Sequence, residues 1–111
     1  MGNSVFRFKQ FAIDQSGVPM KVGTDGVLLG AWLRIDGTEH RILDIGTGTG
    51  VIAMMAAQRS TAEHIVGIDV ESVSAKRAQA NFEASPWHER LRAECVAVQE
   101  FATDVAFDLI V

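Results

Sequence analysis

The sequence predicts an α/β fold: a parallel sheet with helices on both faces, truncated after about four core strands and preceded by an amino-terminal β-hairpin. Three observations predict it. From residue 41 onward, short apolar runs of strand length alternate with longer runs of helical periodicity. The run Arg41-Ile42-Leu43-Asp44-Ile45 leads directly into Gly46-Thr47-Gly48-Thr49-Gly50 and then an apolar helix. A second run, Val66-Gly67-Ile68-Asp69, ends on an acid. A strand with no polar alternation needs cover on both faces, which a parallel sheet supplies.

Phe6, Phe8 and Phe11 precede Ile13 in a segment rich in aromatic and β-branched residues, so this segment reads as a strand. Ser16-Gly17-Val18-Pro19 reads as a turn and Met20-Lys21-Val22 as the returning strand, which makes residues 6–22 a hairpin. Gly23-Thr24-Asp25-Gly26 is a further turn. Thr24 or Asp25 is placed to cap a short apolar helix from Val27 to Leu33. A polar connection follows from Ile35 to His40. Arg41–Ile45 is then a strand, Val51–Arg59 a helix and His64–Asp69 a strand. Glu71–Ala84 is a helix with Ala75, Ala78 and Phe82 on one face, ended by Ser85-Pro86. Glu94–Val98 is expected as a third core strand and Phe107–Val111 as a fourth. The chain divides into residues 1–34, a hairpin and helix, and residues 35–111, the sheet-bearing core.

Bulk properties exclude several classes. The 111 residues suit one small domain, and 48% hydrophobic with 22% charged residues is an ordinary globular balance. One cysteine, Cys95, excludes an internal disulfide framework and fits a reducing cytoplasm; its apolar neighbours mark it as a core thiol. His40, His64 and His88 are scattered with no cysteines at ligand spacing, so no metal site is expected. The longest apolar run, Val51 to Ala57, is too short to span a membrane, and no basic-then-apolar leader opens the chain. Net charge is −4, against generic nucleic-acid binding, but its distribution is uneven. Residues 1–34 carry +2 and the remainder −6, so the amino-terminal segment is the part suited to face phosphate.

The glycine segment carries the functional signal. A sharp strand-to-helix turn needs backbone angles that side chains resist, and a ligand approaches closely where no Cβ intervenes. The helix starting near Gly50 points unpaired N–H groups at the same place. Asp69, at the tip of the next strand, is placed to accept both ribose hydroxyls of a nucleoside. Together these make a Rossmann-like nucleoside site. Asp44 decides which nucleoside. A carboxylate two residues before the first glycine repels a pyrophosphate, but attracts an ammonium and tolerates a sulfonium. The glycine spacing also departs from the dehydrogenase G-x-G-x-x-G pattern. Both facts favour S-adenosylmethionine over a dinucleotide.

At this level the core resembles the class I S-adenosylmethionine-dependent methyltransferases. Phe8-Lys9-Gln10-Phe11, the segment Met20 to Trp32, Asn81-Phe82 and Ser85-Pro86-Trp87 together resemble the bacterial tRNA adenine-N6 methyltransferases, which modify the adenosine beside the anticodon of a valine tRNA. The resemblance covers nearly the whole chain, and the Met20 to Trp32 segment is its most specific part. It implies that Asp44, Gly46, Thr47, Gly48, Gly50, Asp69, Val70 and Gln99 surround the cofactor, with S-adenosylhomocysteine as product. It places Thr24 and Asp25 near the cofactor and target base, with turn and helix-cap roles equally open to them. It puts Lys9 and Lys21 on the side facing tRNA. Trp32 and Trp87 read as packing residues, with base stacking as the alternative.

Two departures from the family pattern stand out. Ala97 stands where the family carries an aspartate that recognises adenine, leaving Gln99 or Glu100 for that contact. The family's Asn-Pro-Pro-Tyr motif, which carries the chemistry on the adenine nitrogen, would follow Val111. The chain therefore looks like the amino-terminal half of such an enzyme, with no catalytic residue of its own, no activity expected of this length alone, and an open sheet edge suited to self-association. The alternatives are a methyltransferase acting on ribosomal RNA or protein, an inactive module that keeps the fold, and a nicotinamide-dependent oxidoreductase.

Overall fold

The structure, a computed structural model, describes residues 5–7, 12–14, 35, 39–101 and 106–111. In chain order the elements are β1 (Val5–Arg7), β2 (Ala12–Asp14), β3 (Arg41–Ile45), α1 (Val51–Arg59), β4 (His64–Asp69), α2 (Ser72–Glu83), β5 (Leu91–Cys95), a 3-10 turn (Val98–Glu100) and β6 (Leu109–Ile110). The main sheet has four strands in the order β5-β4-β3-β6, all parallel. From β3 the chain steps outward through β4 to β5, then returns to pair β6 on the other side of β3. That reversal is a topological switch point, where open α/β sheets leave a crevice at the carboxyl ends of their strands.

Position in the sheet explains the burial of each strand. The central strands β3 and β4 are buried over most of their length, while β5 and β6 form the edges and are partly open. On one face, Ile42, Ile65 and Leu91 lie side by side in register and pack under Val51, Met54 and Met55 of α1 and Ala78 and Phe82 of α2. On the other face Leu43, Val66 and Ile68 are covered by Val96, Phe101 and Phe107. Both described helices thus lie on the same face. Right-handed crossovers that step the same way across a sheet put their helices on one side. The expected cover of the second face by helices is, among the described residues, supplied by loop side chains.

The opposite rim of the sheet is tied by polar groups. The Arg90 guanidinium donates to the carbonyls of Ala57, at 2.8 Å, in the last turn of α1, and Ala62, at 2.7 Å, in the loop that follows. Asp108 accepts from the backbone N–H groups of His40 and Arg41 at 2.8 and 2.9 Å, and these two bonds hold its carboxyl below the usual carboxylate range. No helix among the described residues is long and apolar enough to cross a membrane.

Four local expectations change. The hairpin is tighter than residues 6–22: β1 pairs antiparallel with β2 in the register Phe6↔Ile13, so the return strand is Ala12–Asp14. Met20–Val22, the turns around them and the helix Val27–Leu33 lie outside the described residues. The third core strand is Leu91–Cys95, not Glu94–Val98. Parallel pairing starts at Ile65↔Leu91, where the Ile65 N–H meets the Arg90 carbonyl and the Leu91 side chain reaches the core; Val96 and Val98 fall beyond the strand, Val98 opening the 3-10 turn. Cys95 is exposed at the strand end, not a core thiol, because β5 is an edge strand and Cys95 sits at its tip. The fourth core strand shortens to Leu109–Ile110, since Asp108 turns its carboxylate to the β3 backbone.

Candidate functional site

The carboxyl ends of β3 and β4 and the loop between β3 and α1 form the candidate site. The first two loop N–H groups, of Gly46 and Thr47, both donate to the Ile68 carbonyl, at 2.8 and 2.9 Å, so the loop is pinned to the neighbouring strand as it leaves the sheet. Gly46, Gly48 and Gly50 all adopt positive φ, at 71°, 56° and 89°. Their surroundings separate their roles. A Cβ on Gly46 or Gly48 would meet nothing within 4 Å, so these two form an open floor that a ligand can approach. A Cβ on Gly50 would lie 2.5 Å from the Phe82 ring, so Gly50 permits close packing of α1 and α2. Gly50 is also the N-cap of α1 and offers no side-chain cap, and no acid occupies the first turn.

Asp44 lies beneath this loop. It is 2% exposed, and its Oδ2 accepts the Thr47 hydroxyl at 2.8 Å. Burial pushes its carboxyl up from 3.8 to about 6, partly offset by the Thr47 hydroxyl and the Ala53 N–H, with the nearby Asp69 charge adding to the rise. The sequence put Asp44 two residues before the first glycine of the site; the structure buries it beneath the loop, where it braces Thr47. Thr47 is 5% exposed, with its hydroxyl turned inward to Asp44.

Asp69 stands across the loop. Its Oδ2 accepts the Gly48 N–H at 2.9 Å and its Oδ1 the Glu71 N–H at 2.9 Å. Each oxygen keeps a second lone pair for an incoming hydroxyl. Beside it, Val70 is 72% exposed and Val98 48%, an apolar rim next to a polar floor. The Val96 N–H donates to the Asp69 carbonyl at 3.0 Å and so brings the 3-10 turn carrying Gln99 to the same end of the sheet. The fold therefore gathers Asp44, Gly46, Thr47, Gly48, Gly50, Asp69, Val70 and Gln99 at one edge. Lys9, Lys21, Thr24, Asp25 and Trp32 lie outside the described residues. Trp87 packs, half-buried, against the core cluster. No group of histidine, cysteine and carboxylate side chains among the described residues could hold a metal ion.

Sequence reasoning missed two contributors. A Cβ on Gly67 would lie 2.5 Å from the Thr47 hydroxyl oxygen, so this mid-strand glycine makes the space that lets Thr47 turn toward Asp44. A glycine inside an otherwise β-branched strand was the available signal. Asn81, 4% exposed, donates to the Thr49 carbonyl at 2.9 Å and so supports the loop from α2.

The chain is 48% identical, over its whole length, to a protein of Christiangramia forsetii named tRNA1(Val) (adenine(37)-N6)-methyltransferase, and covers 48% of that relative. It is 50% identical to a protein of the same name from Pasteurella multocida, with 96% of the chain and 46% of the relative covered. The chain thus spans about half the length of the curated relatives it matches. The fold is shared with a methyltransferase of Thiobacillus denitrificans solved with S-adenosyl-L-homocysteine, at a TM-score of 0.63 and 22% identity over 80% of this chain and 35% of the other. Over residues 24–111 the chain matches the model of the family described as ribosomal protein L11 methyltransferase (PrmA), and it belongs to that methyltransferase family.

Proposed function

We propose that the chain is the methyl-donor-binding part of an S-adenosylmethionine-dependent methyltransferase that acts on the exocyclic N6 amine of an adenosine in tRNA. The observation that carries the donor site is the open glycine floor at Gly46 and Gly48, set between the carboxylates of Asp44 and Asp69. These residues fit S-adenosylmethionine. Asp69 holds the ribose hydroxyls, Val70 and the turn carrying Gln99 flank the adenine, and the methionine portion lies over the glycines. The Asp44 charge favours the ammonium and disfavours a pyrophosphate. When bound, the donor supplies an electrophilic methyl group on a positively charged sulfur. The chain's own contribution is to bind and aim it; alignment of this kind accounts for much of the acceleration in transfer reactions.

The names of the relatives favour tRNA as acceptor. Residues 1–34, with Lys9 and Lys21, form the tRNA side, and residues 35–111 the donor core. The resemblance of the Met20 to Trp32 segment favours Thr24 and Asp25 as contacts of the cofactor and the target base. The reading places the protein in the cytoplasm, and the exposed edge at Ile110 as a surface for pairing with further chain or a second copy. The family description favours a second reading, methyl transfer to a ribosomal protein. Full-length protein, given labelled S-adenosylmethionine with either unmodified valine tRNA or ribosomal protein L11, separates them. Label in tRNA as N6-methyladenosine supports the proposal; label in the protein alone overturns it.

A further inference from the structure

The hairpin and the glycine loop are joined through one buried amide. The Asn81 Oδ1 accepts the Asp14 N–H of β2 at 2.7 Å, and its Nδ2 donates to the Asp14 carbonyl at 2.9 Å. The same Nδ2 gives its other hydrogen to the Thr49 carbonyl at 2.9 Å, in the middle of the loop. Asn81 thus pairs with Asp14 as a strand neighbour would, and holds the loop with the hydrogen that remains. One turn earlier on α2, Arg77 Nη1 meets the Asp14 carboxylate at 2.9 Å. One residue later, Phe82 fills the space that Gly50 leaves beside it. A single stretch of α2 therefore fixes both the seat of the hairpin and the position of the loop.

We infer that Asn81 is a positioning residue that couples seating of the amino-terminal hairpin to the geometry of the glycine loop, so that hairpin docking and donor binding favour each other. The inference rests on the donor site proposed above. A shift of Asp14 cannot keep both of its bonds to Asn81 unless the amide moves, and a moving amide gives up the Thr49 carbonyl. That carbonyl is buried with Thr49, which is 4% exposed, so leaving it unpaired is costly. Coupling between two sites is reciprocal: what the hairpin does for the donor, the donor does for the hairpin.

The test uses Arg77→Met, which loosens the hairpin without touching the loop, alone and combined with Asn81→Ala. S-adenosylhomocysteine affinity is measured by calorimetry and backbone exchange by hydrogen–deuterium methods. Arg77→Met is expected to weaken S-adenosylhomocysteine about fivefold and to speed exchange at the Gly50 N–H by a similar factor. In the Asn81→Ala background it is expected to change neither. Saturating S-adenosylhomocysteine is expected to slow exchange at the Asp14 N–H in the unsubstituted chain. Additive losses in the double variant, or unchanged exchange at Gly50 in Arg77→Met, would overturn the coupling. Should Asn81→Ala fail to fold, Gly50 exchange in Arg77→Met decides alone. Should the unsubstituted chain bind no S-adenosylhomocysteine, the donor reading fails, while the Gly50 exchange still decides whether hairpin and loop are coupled.

Discussion

Asp44 serves the fold and the site in opposite ways. Its carboxyl is raised from 3.8 to about 6, so the stability it contributes is full below the unfolded value and is lost as pH rises through about 6. Near pH 8 the chain carries a buried ionised group, which the Thr47 hydroxyl and the Ala53 N–H only partly compensate. Asp44→Asn should therefore raise stability at pH 8 by roughly 1–3 kcal/mol in urea denaturation. The Thr47 hydroxyl can reverse from donor to acceptor and keep the bond. The same substitution should weaken S-adenosylhomocysteine about tenfold at pH 8, because it removes the charge facing the ammonium. In the unsubstituted chain affinity should fall as pH drops through about 6, and in Asp44→Asn that dependence should flatten. An unchanged pH profile in the variant would count against the charge role. Asp69 and Thr47 form a second comparison. Asp69→Ala removes the proposed ribose contact and the anchor of the Gly48 N–H together, whereas Thr47→Ala removes only a brace on Asp44. Calorimetry should find the larger loss in Asp69→Ala.

At the scale of elements, the meeting of α1 and α2 at Gly50 sets the loop. Gly50→Ala combines a left-handed backbone with a Cβ 2.5 Å from the Phe82 ring. The expected cost is about 2–4 kcal/mol, read from the urea midpoint. In a Phe82→Leu background the clash is relieved, and the added cost of Gly50→Ala should fall to about 1–2 kcal/mol. Equal costs in both backgrounds would show that the ring does not dictate this glycine. These elements also show what local patterns can reveal. Arg41–Ile45, Val51–Arg59 and His64–Asp69 coincide with their sequence-based bounds, because a central buried strand reads as a mostly apolar run and the glycine loop separates the first strand from its helix. α2 loses one residue at each end to its caps: Ala84 closes it, and Glu71 opens it from outside, its carboxylate accepting the Val73 N–H at 2.8 Å. The edge strand β5 was misplaced by three residues because its register comes from pairing with β4, while local propensity pointed to the residues beyond it.

For the whole molecule, ligand and fold should be linked. S-adenosylhomocysteine at a hundredfold excess over its dissociation constant should add about 2.7 kcal/mol to stability. That corresponds to a rise in Tm on the order of 10 °C for a domain of this size. NADH at the same concentration should leave Tm unchanged; the reverse pattern would restore the oxidoreductase reading. Charge asymmetry belongs to this scale as well. Residues 1–34 carry +2 and the remainder −6, an uneven balance that agrees with the tRNA and cationic donor proposed above.

The alternation of elements, the glycine loop, the acids Asp44 and Asp69 on the two central strands and the resemblance to tRNA adenine-N6 methyltransferases are legible in the chain alone. Each depends on residue type and short-range spacing. Tertiary structure alone decided that Asp44 lies beneath the loop, that Gly67 makes room for Thr47, that Cys95 is exposed, and that Asn81 ties hairpin to loop. These facts depend on which strands neighbour one another and which backbone groups are left to be satisfied. Contacts across 32 and 67 residues of sequence leave no local pattern to read.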